Sequence, residues 1–569
     1  MKRIGLIQLL VIFLVFHHTE LLPSRHAPDY STTGMVASAE PNATAAGFEI
    51  LAAGGNAADA AVAVGFSLAV TYPSAGNIGG GGFLVYRAAD GLVSTLDYRE
   101  KAPGAATEDM FLNHLGEADP ELSRRSLLAS GVPGSVAGLL HIFQRWGSGR
   151  LTLKQVMAPA IRLAEFGFPV GHQFHEGLMQ RKDWLGSIEP TARLLYPGGK
   201  IPEPGSMFSQ PGLAATLREI AEKGREGFYN GWVADSLVAL MSRGSGLITH
   251  DDLEAYQPVE REPVSFNFLN YRVFSMAPPS SGGIVLGQIL GMLEPFDLKA
   301  LGHNSAPYTN LLVEAERLAY ADRNHWLGDP GFTDVPVREL LDTAYLDSRR
   351  ALMPVGRAGV SSRTSPGLSE HLETTHYCVV DSSGAAAAIT TTLNGSYGNG
   401  WVVPGAGFFL NNEMDDFSAA PGEPNMFGLV QGMANKVEPG KRMLSSMTPT
   451  IVTRAAADSS EQLFLVAGAA GGPTIITSTL QILLNTTVFC MNVREAVDAP
   501  RFHHQHLPDT VFREPETFSA ETLSALLSMG YSIAEREHIG NASAIMVLEN
   551  GWLAGWADVV GAGAGTGWE

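Results

Sequence analysis

Thr374-Thr375-His376-Tyr377-Cys378-Val379-Val380-Asp381 is a β-branched, apolar run closed by the turn Asp381-Ser382-Ser383-Gly384. A run of this kind between punctuating residues reads as a strand. The preceding stretch, Ser361 to Glu370, is polar and rich in Ser, with Thr, Pro and Gly, the pattern of a mobile surface loop. A strand that opens on two threonines after such a loop has two readings. It is an ordinary strand, since Thr is common there. Or it is a new N-terminus, because a threonine whose α-amine is freed by chain cleavage carries nucleophile and base in one residue. His376 and Cys378 share one strand face and raise a thiol-nucleophile reading as well, although nothing else marks that thiol as activated.

Downstream residues weigh on this choice. Thr390-Thr391-Thr392-Leu393-Asn394-Gly395-Ser396-Tyr397-Gly398 reads as a second strand and turn. Then follow Asn411-Asn412-Glu413-Met414-Asp415-Asp416-Phe417, Leu444-Ser445-Ser446-Met447 and Gly468-Ala469-Ala470-Gly471-Gly472-Pro473. In order and wording these motifs resemble the γ-glutamyltransferase family of N-terminal-nucleophile hydrolases, from about Met35 to about Val547. The wording Asn77-Ile78-Gly79-Gly80-Gly81-Gly82 is similar to that of its bacterial branch. The resemblance implies an α+β fold, a four-layer αββα sandwich formed jointly by two chains of one cleaved precursor. It divides the chain into a leader (1–27), a large, helix-rich chain (28–373) and a small, strand-rich chain (374–569).

The chain has 569 residues and a net charge of −20, which argues against nucleic acid or an anionic membrane surface as partner. Hydrophobic residues make up 45%, ample for a core. Met1-Lys2-Arg3 precedes the apolar run Ile4–Phe16, broken only by Gln8. That is the size of an export signal, whereas a spanning helix needs about 20 residues. No clean small-x-small cleavage site follows, so an uncleaved N-terminal anchor is the alternative. The expected location is periplasmic or secreted. Cys378 and Cys490 allow one bridge at most, or two buried free thiols.

Along the chain, Val36–Leu51 and Asn56–Val70 read as Ala-rich helices, the second capped by Asn56. The Gly79–Gly82 run lacks the Lys-Ser/Thr of a phosphate loop and leads into a strand, so it reads as a place of close backbone approach. Strands are expected at Phe83–Arg87 and Val93–Arg99. From Gly131 to about Leu352 the pattern is mostly helical: Ser135–Trp146, Leu153–Phe166, Leu213–Lys223, Val233–Met241, Gly283–Leu293 and Tyr308–Asn324. Glu314 to Arg323 carries interleaved charges and reads as a solvated helix face, with no chemistry assigned. After Thr374 strands dominate: Thr374–Val380, Ala385–Thr392, Phe408–Leu410, Thr448–Val452 and Leu463–Ala467. Helices follow at Thr474–Asn485 and Ser519–Leu527.

The chemistry implied by the resemblance starts with self-cleavage between Glu373 and Thr374. Thr374 then takes the γ-glutamyl group of glutathione or a related γ-glutamyl donor as an ester, and passes it to water or to an amino acid or dipeptide amine. Thr392 matches the family threonine that hydrogen-bonds the nucleophile. Gly471 and Gly472 stand where backbone N–H groups at a helix start hold an oxyanion. Arg99, Ser445 and Ser446 look like the side that binds the substrate α-carboxylate. Asn394, Glu413 and Asp416 look like the side that binds its ammonium. Phe427, in Pro421-Gly422-Glu423-Pro424-Asn425-Met426-Phe427-Gly428, sits where a lid loop places an aromatic ring. No cofactor is implied. Arg501-Phe502-His503-His504-Gln505-His506 suggests zinc, but its spacing fits no helical two-histidine site and the family has a similar stretch without metal.

Two departures stand out. Cys378 replaces the more usual Ser or Thr, and the C-terminus, Gly555-Trp556-Ala557-Asp558 with its Gly/Ala tail, lacks the usual Asp-Pro-Arg ending, which points to weakened last strands or a diverged tail. Two rival functions remain at this level: an acylase of the same fold for glutaryl-like or poly-γ-glutamyl substrates, and an uncleaved, inactive member that binds γ-glutamyl compounds.

Overall fold

The structure is a computed structural model; it describes residues 27–361, 374–418, 432–455 and 461–558, and the backbone of 564–567. Among these, the strands form two large antiparallel sheets. The first has the order Ala564–Gly567, Met35–Ser38, Thr374–Val380, Ala386–Thr392, Gly81–Arg87, Val93–Asp97, Val259–Arg261. The second has the order Asp29–Ser31, Leu553–Ala557, Asn541–Val547, Glu461–Ala470, Thr450–Ala455, Tyr271–Ser275, Val264–Phe268. Met35, Val85, Cys378, Val380, Ile451, Val466 and Ile545 fill the space between them. Helices Pro41–Ala52 and Ala57–Thr71 cover the outer face of the first sheet, and Thr474–Thr487 that of the second. The result is helix, sheet, sheet, helix, the expected four layers.

The Thr374–Val380 strand is central and buried throughout, as its near-continuous apolar run requires. Its helix-side residues, such as Tyr377 and Val379, pack under Ala57–Thr71, whose fifteen residues are all buried. Small alanines let that helix lie close to the sheet. Its start is doubly fixed. Asn56 and Asp59 form a capping box, and Asp381, in the turn after the central strand, accepts a hydrogen bond from Ala57 N at 2.9 Å.

Several expectations need correction. Val36–Leu51 is not one helix: Met35–Ser38 is a strand beside Thr374–Val380, and the helix begins at Pro41. Pro41 at the first helical position, with Glu40 as cap, marks that start. The stretch 131–352 also contributes strands. Val264-Ser-Phe-Asn-Phe-268 and Tyr271-Arg-Val-Phe-Ser275 pair as a hairpin with Phe268 opposite Tyr271, leaving a two-residue loop in which Leu269 adopts φ 55°. Phe408–Leu410 joins no ladder; Phe409 makes one isolated bridge with Val402. The charges of Ala306–Trp326 are not solvated: Glu314, Glu316, Arg317 and Arg323 are buried. Residues from distant segments make this tolerable. Tyr531 donates to Glu314 at 2.7 Å, His504 N donates to Glu316 at 2.9 Å, and Arg317 pairs with Glu314 and Asp509. Both cysteines are free, and Cys490 is exposed rather than buried. The 1–26 leader lies outside the described residues; among those described, no helix is long and apolar enough to cross a membrane.

The C-terminal segment is tied in rather than weakened. Leu553–Ala557 pairs with both Asp29–Ser31 and Asn541–Val547, and Ala564–Gly567 extends the first sheet beside Met35–Ser38. Asp558 forms a buried ion pair with Arg501 and approaches His538 Nε2 at 3.6 Å, while Glu514 lies 3.2 Å from His538 Nδ1. Burial alone would lower the His538 pKa, but the Asp558 and Glu514 carboxylates outweigh it and push it up to about 9. A folded pKa above the unfolded value of about 6.5 stabilises the fold at low pH. That contribution is complete below about pH 6.5 and is lost as the pH rises through about 9. A His538→Gln variant is therefore expected to melt below wild type at pH 6, with the gap closing between pH 7 and 10. Thermal denaturation of both proteins across that range checks this, and a gap that widens with pH would refute it.

Candidate active site

In the antiparallel pair, Thr374 stands opposite Thr392, so their side chains share a face and their hydroxyl oxygens lie 3.4 Å apart. The Thr392 hydroxyl also accepts from Asn394 N at 2.7 Å. Asn394 adopts φ 73°, a left-handed conformation that Asn tolerates better than most residues. It turns the chain so that its amide donates to Asn412 O at 3.1 Å, while Gly395 N donates to Asn412 Oδ1 at 2.8 Å. The 394–395 and 412–413 turns are thus one hydrogen-bonded unit.

Behind this unit runs the glycine stretch. A Cβ on Gly80 would come 2.1 Å from Thr392 O, and one on Gly79 would come 2.0 Å from Phe409 O. Close backbone approach is the physical reason for the run. Asn77 completes it by donating to Thr392 O at 2.8 Å and accepting from Gly80 N at 2.9 Å.

Thr374, Thr392, Asn394, Glu413, Asp416, Ser445, Ser446 and Gly472 line one small cavity, with Arg323, Met447 and Ile475. Gly471 and Gly472 adopt φ 127° and 58° and lead directly into the Thr474–Thr487 helix, where Gly471 O and Gly472 O accept the first backbone bonds. Glu373, Phe427 and the 362–370 part of the proposed loop fall outside the described residues.

Arg99 does not line the cavity. It is buried, with one guanidinium nitrogen on Glu413, the other on Asp416, and Glu100 at 3.8 Å. The expected carboxylate side and ammonium side are therefore not held apart: their unlike charges pair with each other. This follows from burial, since an unpaired charge in a low-dielectric site is far costlier than a paired one. Burial would lower the Arg99 pKa, but Glu413, Asp416 and Glu100 together hold it above its ordinary value. Three carboxylates around one guanidinium are themselves raised. Burial pushes Asp416 up to about 6 and Glu100 up to about 7 against the pull of Arg99, and it raises Glu413 as well.

Arg323 was missed because its helix reads as charged. A positional signal existed. Tyr320 and Ala319 precede Arg323 by three and four positions, so all three share the face on which Tyr320 and Ala319 are fully buried.

The thiol reading fails. His376 bonds to Thr390 Oγ1 at 2.8 Å and touches Cys378 Sγ at 3.2 Å, deep between the sheets. Burial pushes the imidazole down to about 3 and the thiol up, so His376 stays neutral and Cys378 protonated. In the 501–506 stretch, His503 bonds to Thr477 and Gln505, and His504 approaches Asp509, all side chains of the packed interior or its edge.

Two stacked sheets between helical layers, with a threonine heading a central strand and facing a charged cavity, define an N-terminal-nucleophile hydrolase. The chain belongs to the γ-glutamyltranspeptidase family, whose model matches residues 43–568. The glutathione hydrolase proenzyme of Escherichia coli (strain K12) is 45% identical over 535 residues, covering 93% of this chain and 91% of that protein. Cephalosporin acylase from Bacillus halodurans has a TM-score of 0.84 at 28% identity and covers 98% of this chain and 100% of its own. A chain of Helicobacter pylori γ-glutamyltranspeptidase has a TM-score of 0.56 at 41% identity, covering 58% of this chain and 94% of its own.

The glycine packing gives a direct test. Gly80→Ala must displace the Thr392 backbone, because the atom it meets is a carbonyl within a sheet. The expected cost is about 1–3 kcal/mol of stability, read by urea denaturation, with a loss of turnover from the misplaced Thr392. Unchanged stability would mean the glycine run is not held by this contact.

Proposed function

We propose that this protein is an exported precursor that cuts itself between Glu373 and Thr374 and then acts as a γ-glutamyltransferase and glutathione hydrolase. The observation that carries this reading is the Thr374–Thr392 hydroxyl pair at the mouth of a cavity walled by Glu413, Asp416, Ser445 and Ser446. Family membership and the identity to a glutathione hydrolase proenzyme support it.

In the first step Thr374 Oγ1 attacks the Glu373 carbonyl, the C–N bond breaks, and the acyl group moves to oxygen. Water hydrolyses that ester, leaving a large chain ending at Glu373 and a small chain starting at Thr374, which remain together as a pair. The new α-amine has an intrinsic pKa of about 8 and accepts the hydroxyl proton. Thr374 then attacks the γ-carbonyl of the donor, with Thr392 hydrogen-bonded to the nucleophile. The oxyanion lies at the Gly471-Gly472 backbone, ahead of the Thr474–Thr487 helix. The amine of the departing peptide takes the proton, and water or an amino acid or dipeptide amine removes the γ-glutamyl group from Thr374.

The charge arrangement gives the donor its selectivity. An incoming ammonium replaces the Arg99 guanidinium on Glu413 and Asp416, with Asn394 beside them, and the α-carboxylate takes up Arg99 together with Ser445 and Ser446. A free amino acid head thus brings an ammonium for the carboxylates and a carboxylate for Arg99, whereas a plain acyl chain brings neither and cannot replace the pairs already there. Phe427 would close over the bound donor as a lid.

The similarity to cephalosporin acylase keeps an acylase reading in view, so the test must separate the two. Intact mass of the purified protein is expected to show two chains split before Thr374, and Thr374→Ala is expected to stay whole. The cut protein is then expected to turn over γ-glutamyl-p-nitroanilide in preference to glutaryl-p-nitroanilide, which lacks the ammonium. A preference for the glutaryl compound would favour the acylase reading. A wild-type chain that stays whole would instead make this an inactive, ligand-binding member.

A further inference from the structure

Arg323 is a cation on the lining of the catalytic cavity whose direct hydrogen-bond partners carry no charge. It is buried on the Ala306–Trp326 helix, and its side chain lines the same cavity as Thr374. Its guanidinium donates to Ser281 Oγ at 3.1 Å, to Ser446 Oγ at 3.1 Å and to Asn324 Oδ1 at 3.0 Å. All three acceptors are neutral. Arg99, Arg317, Arg442 and Arg501 are also buried, and each has a carboxylate in an ion pair, whereas buried Arg87, away from the cavity, donates to the carbonyls of Gly384 and Glu461. Among the described residues no carboxylate stands within ion-pair distance of Arg323; the negative charge that acts on it is Asp416, which is itself paired with Arg99. A buried positive charge hydrogen-bonded only to neutral groups is costly: burial lowers its pKa to about 10 against the pull of Asp416.

The hydrogen bonds also fix where protons point. A serine hydroxyl has one proton to give. Ser281 accepts from Arg323 and donates to Ser445 O at 2.7 Å, which braces the Ser445-Ser446 segment. Ser446 accepts from Arg323 through its oxygen, so its own proton is left to donate to something else in the cavity. Arg99 is meanwhile occupied by Glu413 and Asp416 and stands outside the cavity lining. Arg323 is therefore the cation on the cavity lining itself.

We infer that Arg323 is a positioning residue that sets donor specificity: it turns the Ser446 hydroxyl toward the donor's α-carboxylate and supplies the standing positive charge that draws this carboxylate in before Arg99 is released. The inference rests on the reading of Ser445 and Ser446 as the carboxylate side of a γ-glutamyl site. Arg323 makes no bond to the reacting atoms, so it acts on substrates that carry an α-carboxylate and not on the acyl chemistry itself.

Three p-nitroanilides separate this role from a structural one. The γ-glutamyl compound carries both head charges, the glutaryl compound only the carboxylate, and the 4-aminobutyryl compound only the ammonium. For self-cut Arg323→Gln, kcat/KM is expected to fall about tenfold or more for the first two, mostly through KM, and to stay within about twofold for the third. Arg323→Lys, which keeps the charge but not the fork, is expected to lie between. Ser281→Ala keeps the guanidinium and removes one of its anchors, so it serves if Arg323→Gln does not fold. Its expected effect is a smaller loss, again confined to carboxylate-bearing donors. Equal losses on all three compounds, or no loss on any, would overturn the inference while leaving the γ-glutamyl reading intact. A wild-type enzyme that cuts itself but ignores the γ-glutamyl compound would overturn that reading first, and this one with it.

Discussion

The register of one strand pair governs this molecule. Thr374–Val380 lies against Ala386–Thr392 with residue 374 opposite 392, and both strands are held on their other edges as well. A slip of one residue would turn Thr374 from the inter-sheet face to the helix face. It would also remove Cys378 and Val380 from the sandwich core and expose Tyr377 and Val379 to it. Core packing therefore fixes the register, and the register fixes the hydroxyl pair. The glycine run acts on the same object from behind, since Gly80 and Gly82 leave no room for a Cβ between their strand and the carbonyls of Thr392 and Thr390.

A second constraint is electrostatic. Arg99, Glu100, Glu413 and Asp416 come from two distant stretches of chain and are all buried. Arg99 pairs with Glu413 and Asp416, with an excess of carboxylate that burial relieves by raising the carboxyl pKa values. Such a cluster is a poor source of stability but a selective one, because only a ligand bringing its own charges of both signs can open it without leaving an unpaired ion. Arg323 lines the same cavity as Glu413 and Asp416, but its direct hydrogen bonds go to neutral groups. The two arginines thus differ in their partners: Arg99 is ion-paired with carboxylates, and Arg323 is hydrogen-bonded to two serines and an asparagine.

Much of this was legible in the residues. The Thr374–Val380 strand, the Asn56 cap and the close approach at Gly79–Gly82 followed from local patterns, and the structure bears them out. Eight of the proposed site residues do meet at one cavity. What stayed hidden was non-local. The Val264–Ser275 hairpin alternates apolar and polar residues, yet it lies inside a helical region and its partner strand, Thr450–Ala455, is far along the chain. Met35–Ser38 is strand only because Thr374–Val380 offers it an edge. Glu314, Glu316 and Arg317 read as a solvated face because their partners, Tyr531, His504 and Asp509, are some two hundred residues away. Pairing of Arg99 with Glu413 and Asp416 was equally out of reach, since a resemblance names residues and not the state they hold when empty.

The topology bears on how such a chain would tolerate the proposed cut before Thr374. In the first sheet, Thr374–Val380 sits between Met35–Ser38 and Ala386–Thr392, and Ala386–Thr392 is followed by Gly81–Arg87. In the second, Thr450–Ala455 lies between Tyr271–Ser275 and Glu461–Ala470. Strands from before and after residue 374 are thus neighbours in both sheets, and the second sheet is covered by helices from both sides of it, Gly282–Leu293 and Thr474–Thr487. Severing one connection removes none of these ladders and none of the core between them. It frees only the head of a strand whose remaining six residues stay paired with Ala386–Thr391 on one edge. The freedom gained is confined to the amine and hydroxyl of Thr374, while its partner Thr392 stays fixed by Asn77, Asn394 and the glycine run. A fold built this way can release its nucleophile without loosening the site that must receive the substrate.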